Sequence, residues 1–117
     1  MTIVEACESK TNTTPEFPMG WFSVARSHEL QVGEVKSVTA FDRELVLYRT
    51  RSGLPVLQDA YCPHLGAHLG EGGTVVGESL RCPFHGWRFS KEGECVEIPY
   101  CEDIPERARI RTWHTEE

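Results

Sequence analysis

Four residues stand at spacings suited to one metal centre. Cys62 and His64 are separated by Pro63, Cys82 and His85 by Pro83 and Phe84, and seventeen residues lie between His64 and Cys82. Each arm offers one thiol and one imidazole, and each opens on Cys-Pro, which restricts the backbone ahead of the turn. Two chemistries use such a set. The four ligands can close around one tetrahedral zinc, or hold two irons and two sulfides with both thiolates on one iron and both imidazoles on the other. A zinc finger usually carries both cysteines before both histidines, whereas the order here is Cys, His, Cys, His in two similar arms. That order favours the two-iron cluster.

The neighbours of these residues carry a resemblance. Cys62-Pro63-His64-Leu65-Gly66 and Cys82-Pro83-Phe84-His85-Gly86-Trp87-Arg88-Phe89 closely resemble the two ligand loops of the Rieske family. The resemblance covers residues 17 to about 114. It implies a Rieske-type 2Fe-2S cluster with Cys62 and Cys82 on the inner iron and His64 and His85 on the outer one. Two neutral imidazoles in place of two thiolates raise the reduction potential, to roughly −150 to +300 mV against about −400 mV for an all-cysteine plant-type ferredoxin. Rieske proteins of respiratory and photosynthetic complexes carry an added cysteine in each loop and a serine after the second His-Gly. Ala67, Phe84 and Trp87 stand at those positions, so the expected potential lies at the low end. Gly66, Gly70 and Gly86 leave room for backbone N–H groups to approach sulfur, or are ordinary loop glycines.

Composition bounds the remaining possibilities. A chain of 117 residues makes one domain with a modest core that a metal staple would help. Its net charge of −6 is spread without a block of like charges, which argues against nucleic acid and anionic membrane as partners. No segment reads as a signal peptide or membrane anchor, and the expected location is cytoplasmic. Of five cysteines, Cys7, Cys95 and Cys101 remain once the cluster takes two. An odd remainder without matched spacing suggests free thiols, with Cys95 a small buried apolar residue and Cys7 in a polar tail.

The elements that must position the ligands read as strands. Residues 1–16, rich in Thr, Ser and Glu, suggest a flexible tail, and residues 17–117 the Rieske domain. Trp21 to Ala25 alternates as a first strand, and Ser27 could cap a single helical turn through Leu30. Val35 to Phe41 and Glu44 to Arg49 form a hairpin about Asp42-Arg43, and Leu54 to Gln58 continues a meander that delivers Cys62 from a sheet edge. A hairpin of Thr74 to Val76 and Leu80-Arg81 delivers Cys82, so both ligand loops should hang from one small sheet. Trp87 to Phe89 with Cys95 to Ile98 makes another hairpin, and Arg109 to Trp113 a last strand. No helical period of ten residues, internal repeat or phosphate loop appears. The expected fold is all-β, the Rieske fold, with antiparallel sheets around one core and a small cluster-binding subdomain of two ligand loops. Trp87 would pack over the cluster, fill the core, or both. His28, His68 and His114 read as surface residues, with a supporting role beside the cluster open to His68.

Function depends on the branch of the family. Phe17-Pro18-Met19-Gly20-Trp21-Phe22, Asp59-Ala60-Tyr61 ahead of Cys62, and Trp87-Arg88-Phe89 are similar to the N-terminal domain of Rieske non-haem iron oxygenases. Gly70 to Gly73 and Ile98-Pro99-Tyr100 resemble the ketosteroid hydroxylase and cholesterol desaturase group within them. The resemblance implies one-electron transfer from a flavin/iron–sulfur reductase or ferredoxin to a mononuclear iron, in a neighbouring subunit of a trimer. No residues here match that iron's two-histidine, one-carboxylate site, and the family's last Rieske strand and catalytic domain would follow Glu117. A free-standing Rieske ferredoxin, shuttling electrons from a reductase to an oxygenase, is the alternative. Its length fits better and its motifs worse.

Overall fold

The computed structural model describes residues 3–7, 22–63, 66–84, 86–99, 103–105 and 108–116. They form ten strands in antiparallel pairings: β1 (Ile3–Cys7), β2 (Phe22–Arg26), β3 (Val35–Ala40), β4 (Arg43–Arg49), β5 (Pro55–Asp59), β6 (Thr74–Val76), β7 (Ser79–Arg81), β8 (Arg88–Ser90), β9 (Cys95–Glu97) and β10 (Thr112–Glu116). Six make one sheet in the order β2-β1-β10-β5-β4-β3, and four make a second in the order β6-β7-β8-β9. The all-β expectation holds. Among the described residues no helix is long and apolar enough to cross a membrane.

The run Leu45-Val46-Leu47-Tyr48 explains the layering. Strand side chains alternate between faces, so a strand apolar at every position is buried on both. Leu45 and Leu47 join Leu30, Leu57 and Trp113 in one cluster, while Val46 and Tyr48 join Val56, Leu69, Leu80, Phe89 and Ile98 in another. The expected single core is therefore two clusters on opposite faces of the large sheet. The second lies between the sheets and contains Cys62 and Cys82. Gln58, fully buried on β5, reaches across it, its Nε2 donating to the Ser90 carbonyl at 2.8 Å and to Thr112 Oγ1 at 3.2 Å. Arg49 pins the periphery, donating from its guanidinium to the carbonyls of Leu30 (2.8 Å), Gly53 (2.7 Å) and Ser27 (3.2 Å).

Several expectations need correction. Residues 3–7 are not a flexible tail: β1 pairs with β2 on one side and β10 on the other. The polar average over residues 1–16 masks the five-residue run Ile-Val-Glu-Ala-Cys, which is rich enough in apolar residues to pair. The β3–β4 turn is Phe41-Asp42 rather than Asp42-Arg43, with φ of 54° and 58°. A two-residue turn with both residues left-handed matches the twist of its strands, and nothing in Phe-Asp announces it. The last strand begins at Thr112, three residues later than expected. Residues 108–110 instead run along the small sheet, where the Ile110 N–H donates to the Gly93 carbonyl at 2.8 Å and Ala108 accepts from the Cys95 N–H at 3.0 Å. The helical turn is a 3-10 turn, Ser27–Glu29, and Ser27 does not cap it. The Arg26 N–H donates to Glu29 Oε1 at 3.2 Å instead.

Candidate metal centre

The two cysteines arrive from different sheets. β5 runs through Ala60 into the first ligand loop, and β5 is an interior strand of the large sheet, bonded to β4 and β10. The second loop joins β7 to β8 of the small sheet. The expectation that both hang from one small sheet, the first from an edge, is thus corrected. The physical reason is the chain's path: the stretch after the first loop starts a new sheet instead of returning to the old one.

Once aligned on their cysteines, the two loops are copies. The Cys62 N–H donates to the Ala67 carbonyl at 2.9 Å, and the Cys82 N–H to the Trp87 carbonyl at 2.7 Å, each closing on the residue five positions on. The residue before each cysteine pairs with the sixth after it, Tyr61 with His68 and Arg81 with Arg88. The fourth residue after each is a glycine with positive φ, 78° at Gly66 and 76° at Gly86. The seventh, Leu69 or Phe89, is fully buried. An internal repeat is therefore present. The sequence hides it because the repeated unit is a hairpin of about ten residues whose identities differ at most positions.

Cys62 and Cys82 occupy the same place in the two copies, 2% and 3% exposed, and both sit in the inter-sheet cluster. One buried free thiol is an ordinary small apolar residue. A pair at equivalent positions of two matched hairpins fits the thiolate half of a paired ligand set, held away from water. His64 and His85, the other two expected ligands, lie outside the described residues. Cys95 is the buried, inert thiol expected, its Sγ donating to the Glu97 carbonyl at 3.6 Å and its pKa pushed up by burial. Cys7 belongs to β1, and Cys101 lies outside the described residues.

Two side chains have more to do than expected. His68 is not a surface residue: its side chain is only 18% exposed, with Nδ1 accepting from the Gly70 N–H at 3.0 Å and Nε2 3.6 Å from Glu44 Oε2. Tyr61 meets its ring edge-on at 5.3 Å. Arg88, at the equivalent position of the second loop, donates to Glu97 Oε1 at 3.0 Å and to Ser79 Oγ at 3.1 Å, tying three strands together. Trp87 is buried in the inter-sheet core beside Phe89, ring centroids 6.5 Å apart. The rim carries Phe84 and Tyr61, 68% and 52% exposed. Beyond it, Asp42, Arg43, Asp59, Tyr61, Pro63 and Arg111 help line a cleft of about 500 Å³.

Relatives of this architecture are known. The family profile described as Rieske [2Fe-2S] domain matches residues 20–112. Cholesterol 7-desaturase from Ciona intestinalis is 48% identical over 99 residues, which are 85% of this chain and 21% of that protein. The oxygenase component of 3-ketosteroid-9-alpha-monooxygenase from Rhodococcus rhodochrous is 40% identical over 101 residues, 86% of this chain and 26% of that protein. Among solved structures, dicamba monooxygenase with non-heme iron and dicamba superposes with a TM-score of 0.67 at 30% identity, over 80% of this chain and 28% of that one. The chain thus spans between a fifth and a third of the length of the relatives it matches.

Proposed function

The chain belongs to the Rieske [2Fe-2S] domain family, and from that premise we propose that it is the electron-accepting domain of a Rieske non-haem iron oxygenase. Cys62, His64, Cys82 and His85 would hold the cluster. When bound, a Rieske cluster supplies a one-electron store whose potential the surrounding protein tunes. The observation that carries the reading is the pair of buried cysteines at equivalent positions of two matched hairpins.

The chain's own residues do the rest. Cys62 and Cys82, as thiolates shielded from water, would bind the inner iron, and the hairpins would fix the direction in which they point. Ala67 and Trp87 offer their backbone carbonyls to the cysteine N–H groups, and neither carries a hydroxyl or thiol. That supports a potential at the low end of the range of roughly −150 to +300 mV. Phe84 and Tyr61, close in sequence to the ligand positions, are exposed and would be available to a redox partner.

The wider role is read from relatives. A reductase or ferredoxin would supply the electron, and a mononuclear iron outside these residues, in a neighbouring subunit of a trimer, would receive it. A steroid-like or aromatic compound would be hydroxylated or desaturated there. The names of the desaturase, the ketosteroid monooxygenase and dicamba monooxygenase support this over a free-standing carrier. Reading the source gene beyond the codon for Glu117 tests it. The expected result is an open frame leading to two closely spaced histidines and a distant carboxylate. A stop codon at that point would contradict it and leave the carrier role.

A further inference from the structure

Within the first ligand hairpin, His68 makes two polar side-chain contacts that the proposed ligand set leaves unexplained. We infer that His68 is a positioning residue for this hairpin, and that its Nδ1, accepting from the Gly70 N–H, keeps Cys62 in place. The inference rests on the cluster reading above.

His68 stands where several restraints meet. It pairs with Tyr61, the residue before Cys62, and follows Ala67, whose carbonyl accepts the Cys62 N–H at 2.9 Å. Its ring sits between three groups: the Gly70 N–H on Nδ1, Glu44 of β4 facing Nε2, and the edge of Tyr61. An accepting Nδ1 assigns the proton of the neutral ring to Nε2, the nitrogen that faces the Glu44 carboxylate. The ring therefore has one orientation and one tautomer. Gly70 matches it, since a Cβ there would lie 2.9 Å from His68 Cε1 and inside the Ser37 hydroxyl. Glu71 continues the clasp, accepting from Ser37 Oγ at 3.4 Å. The second hairpin solves the same problem at its sixth position with Arg88 and Glu97. A charged or polar side chain at that position, facing a glutamate on a neighbouring strand, is thus common to both arms.

Three substitutions separate the contacts. His68→Phe keeps a ring against Tyr61 and loses both polar contacts. His68→Asn restores an acceptor at the atom where Nδ1 stands, able to take the Gly70 N–H across two residues, and cannot reach Glu44. His68→Gln reaches Glu44, misses the Gly70 N–H, and serves in place of Phe if that variant does not fold. Three measurements follow on the iron-loaded chain: the rate of iron loss to a chelator, the midpoint potential, and amide hydrogen exchange over residues 62–72. The expected result is roughly 10- to 100-fold faster iron loss in the Phe and Gln variants, as for other residues that orient metal ligands. Their potential should move and their loop amides exchange faster, with Asn close to the parent in all three readouts. Phe and Gln variants indistinguishable from the parent, or an Asn variant as impaired as Phe, would overturn the inference. If the parent chain binds no iron, the cluster reading fails. Hydrogen exchange in the metal-free chain then decides the hairpin role separately, and equal protection in parent, Phe and Asn chains would overturn it.

Discussion

Replacing the two equivalent glycines, Gly66 and Gly86, by alanine should have unequal effects, because the hairpins match in backbone but not in surroundings. Both residues sit at φ near the same value, 78° and 76°. The left-handed region costs an alanine about 1–2 kcal/mol. Loss of freedom in the unfolded chain returns about 0.4–1 kcal/mol. The difference, near 1 kcal/mol, is all that Gly66→Ala should cost, since nothing among the described residues lies within 4 Å of its added Cβ. At Gly86 the same Cβ would meet Pro99 Cγ at 3.1 Å. A proline ring can move its Cγ only by changing pucker, so an overpacking cost of about 1–3 kcal/mol adds to the first. Gly86→Ala should therefore be about 2–4 kcal/mol less stable than the parent. Urea unfolding of the iron-loaded chain, followed by intrinsic fluorescence, gives both values if the slope stays constant. Equal costs, or a larger cost at Gly66, would refute the reasoning.

Other perturbations follow from particular contacts. Arg49→Lys removes the planar fork that serves three carbonyls, and should lower stability by about 2–4 kcal/mol in a thermal or urea melt. Tyr48→Phe should be neutral or stabilising by up to about 1 kcal/mol, because its fully buried hydroxyl has no hydrogen-bond partner among the described residues. Glu78 accepts from the Ser52 hydroxyl and from the Ser52 N–H at 3.0 Å, and these bonds hold its carboxyl below the usual carboxylate range. A depressed folded pKa gives stability that is present above the unfolded value and lost as pH falls through the folded one. Denaturant midpoints compared between neutral pH and about pH 3 should therefore fall less in Ser52→Ala than in the parent.

The chemistry was legible because ligand types and spacing are local. Cys62, His64, Cys82 and His85 stand out with no knowledge of the fold, and most strand runs from Val35 to Cys95 follow from their β-rich composition. What escaped depended on partners distant in sequence. Ile3–Cys7 becomes a strand only because β10 and β2 offer it two edges, and Ile110 belongs to the small sheet because Gly93 accepts its N–H. His68 looks like any loop histidine until Glu44 and Gly70 are brought to its two nitrogens. The likeness of the two hairpins lies in hydrogen bonds and φ values, which different residues can share.

The most direct test of the central claim is an electron paramagnetic resonance spectrum of the dithionite-reduced chain, after reconstitution with iron and sulfide, beside the four single replacements of Cys62, His64, Cys82 and His85. The expected result is a reddish-brown protein with a rhombic signal from one reduced two-iron cluster, lost or altered in each variant. A colourless chain holding one zinc, or a signal indifferent to those four residues, would contradict it.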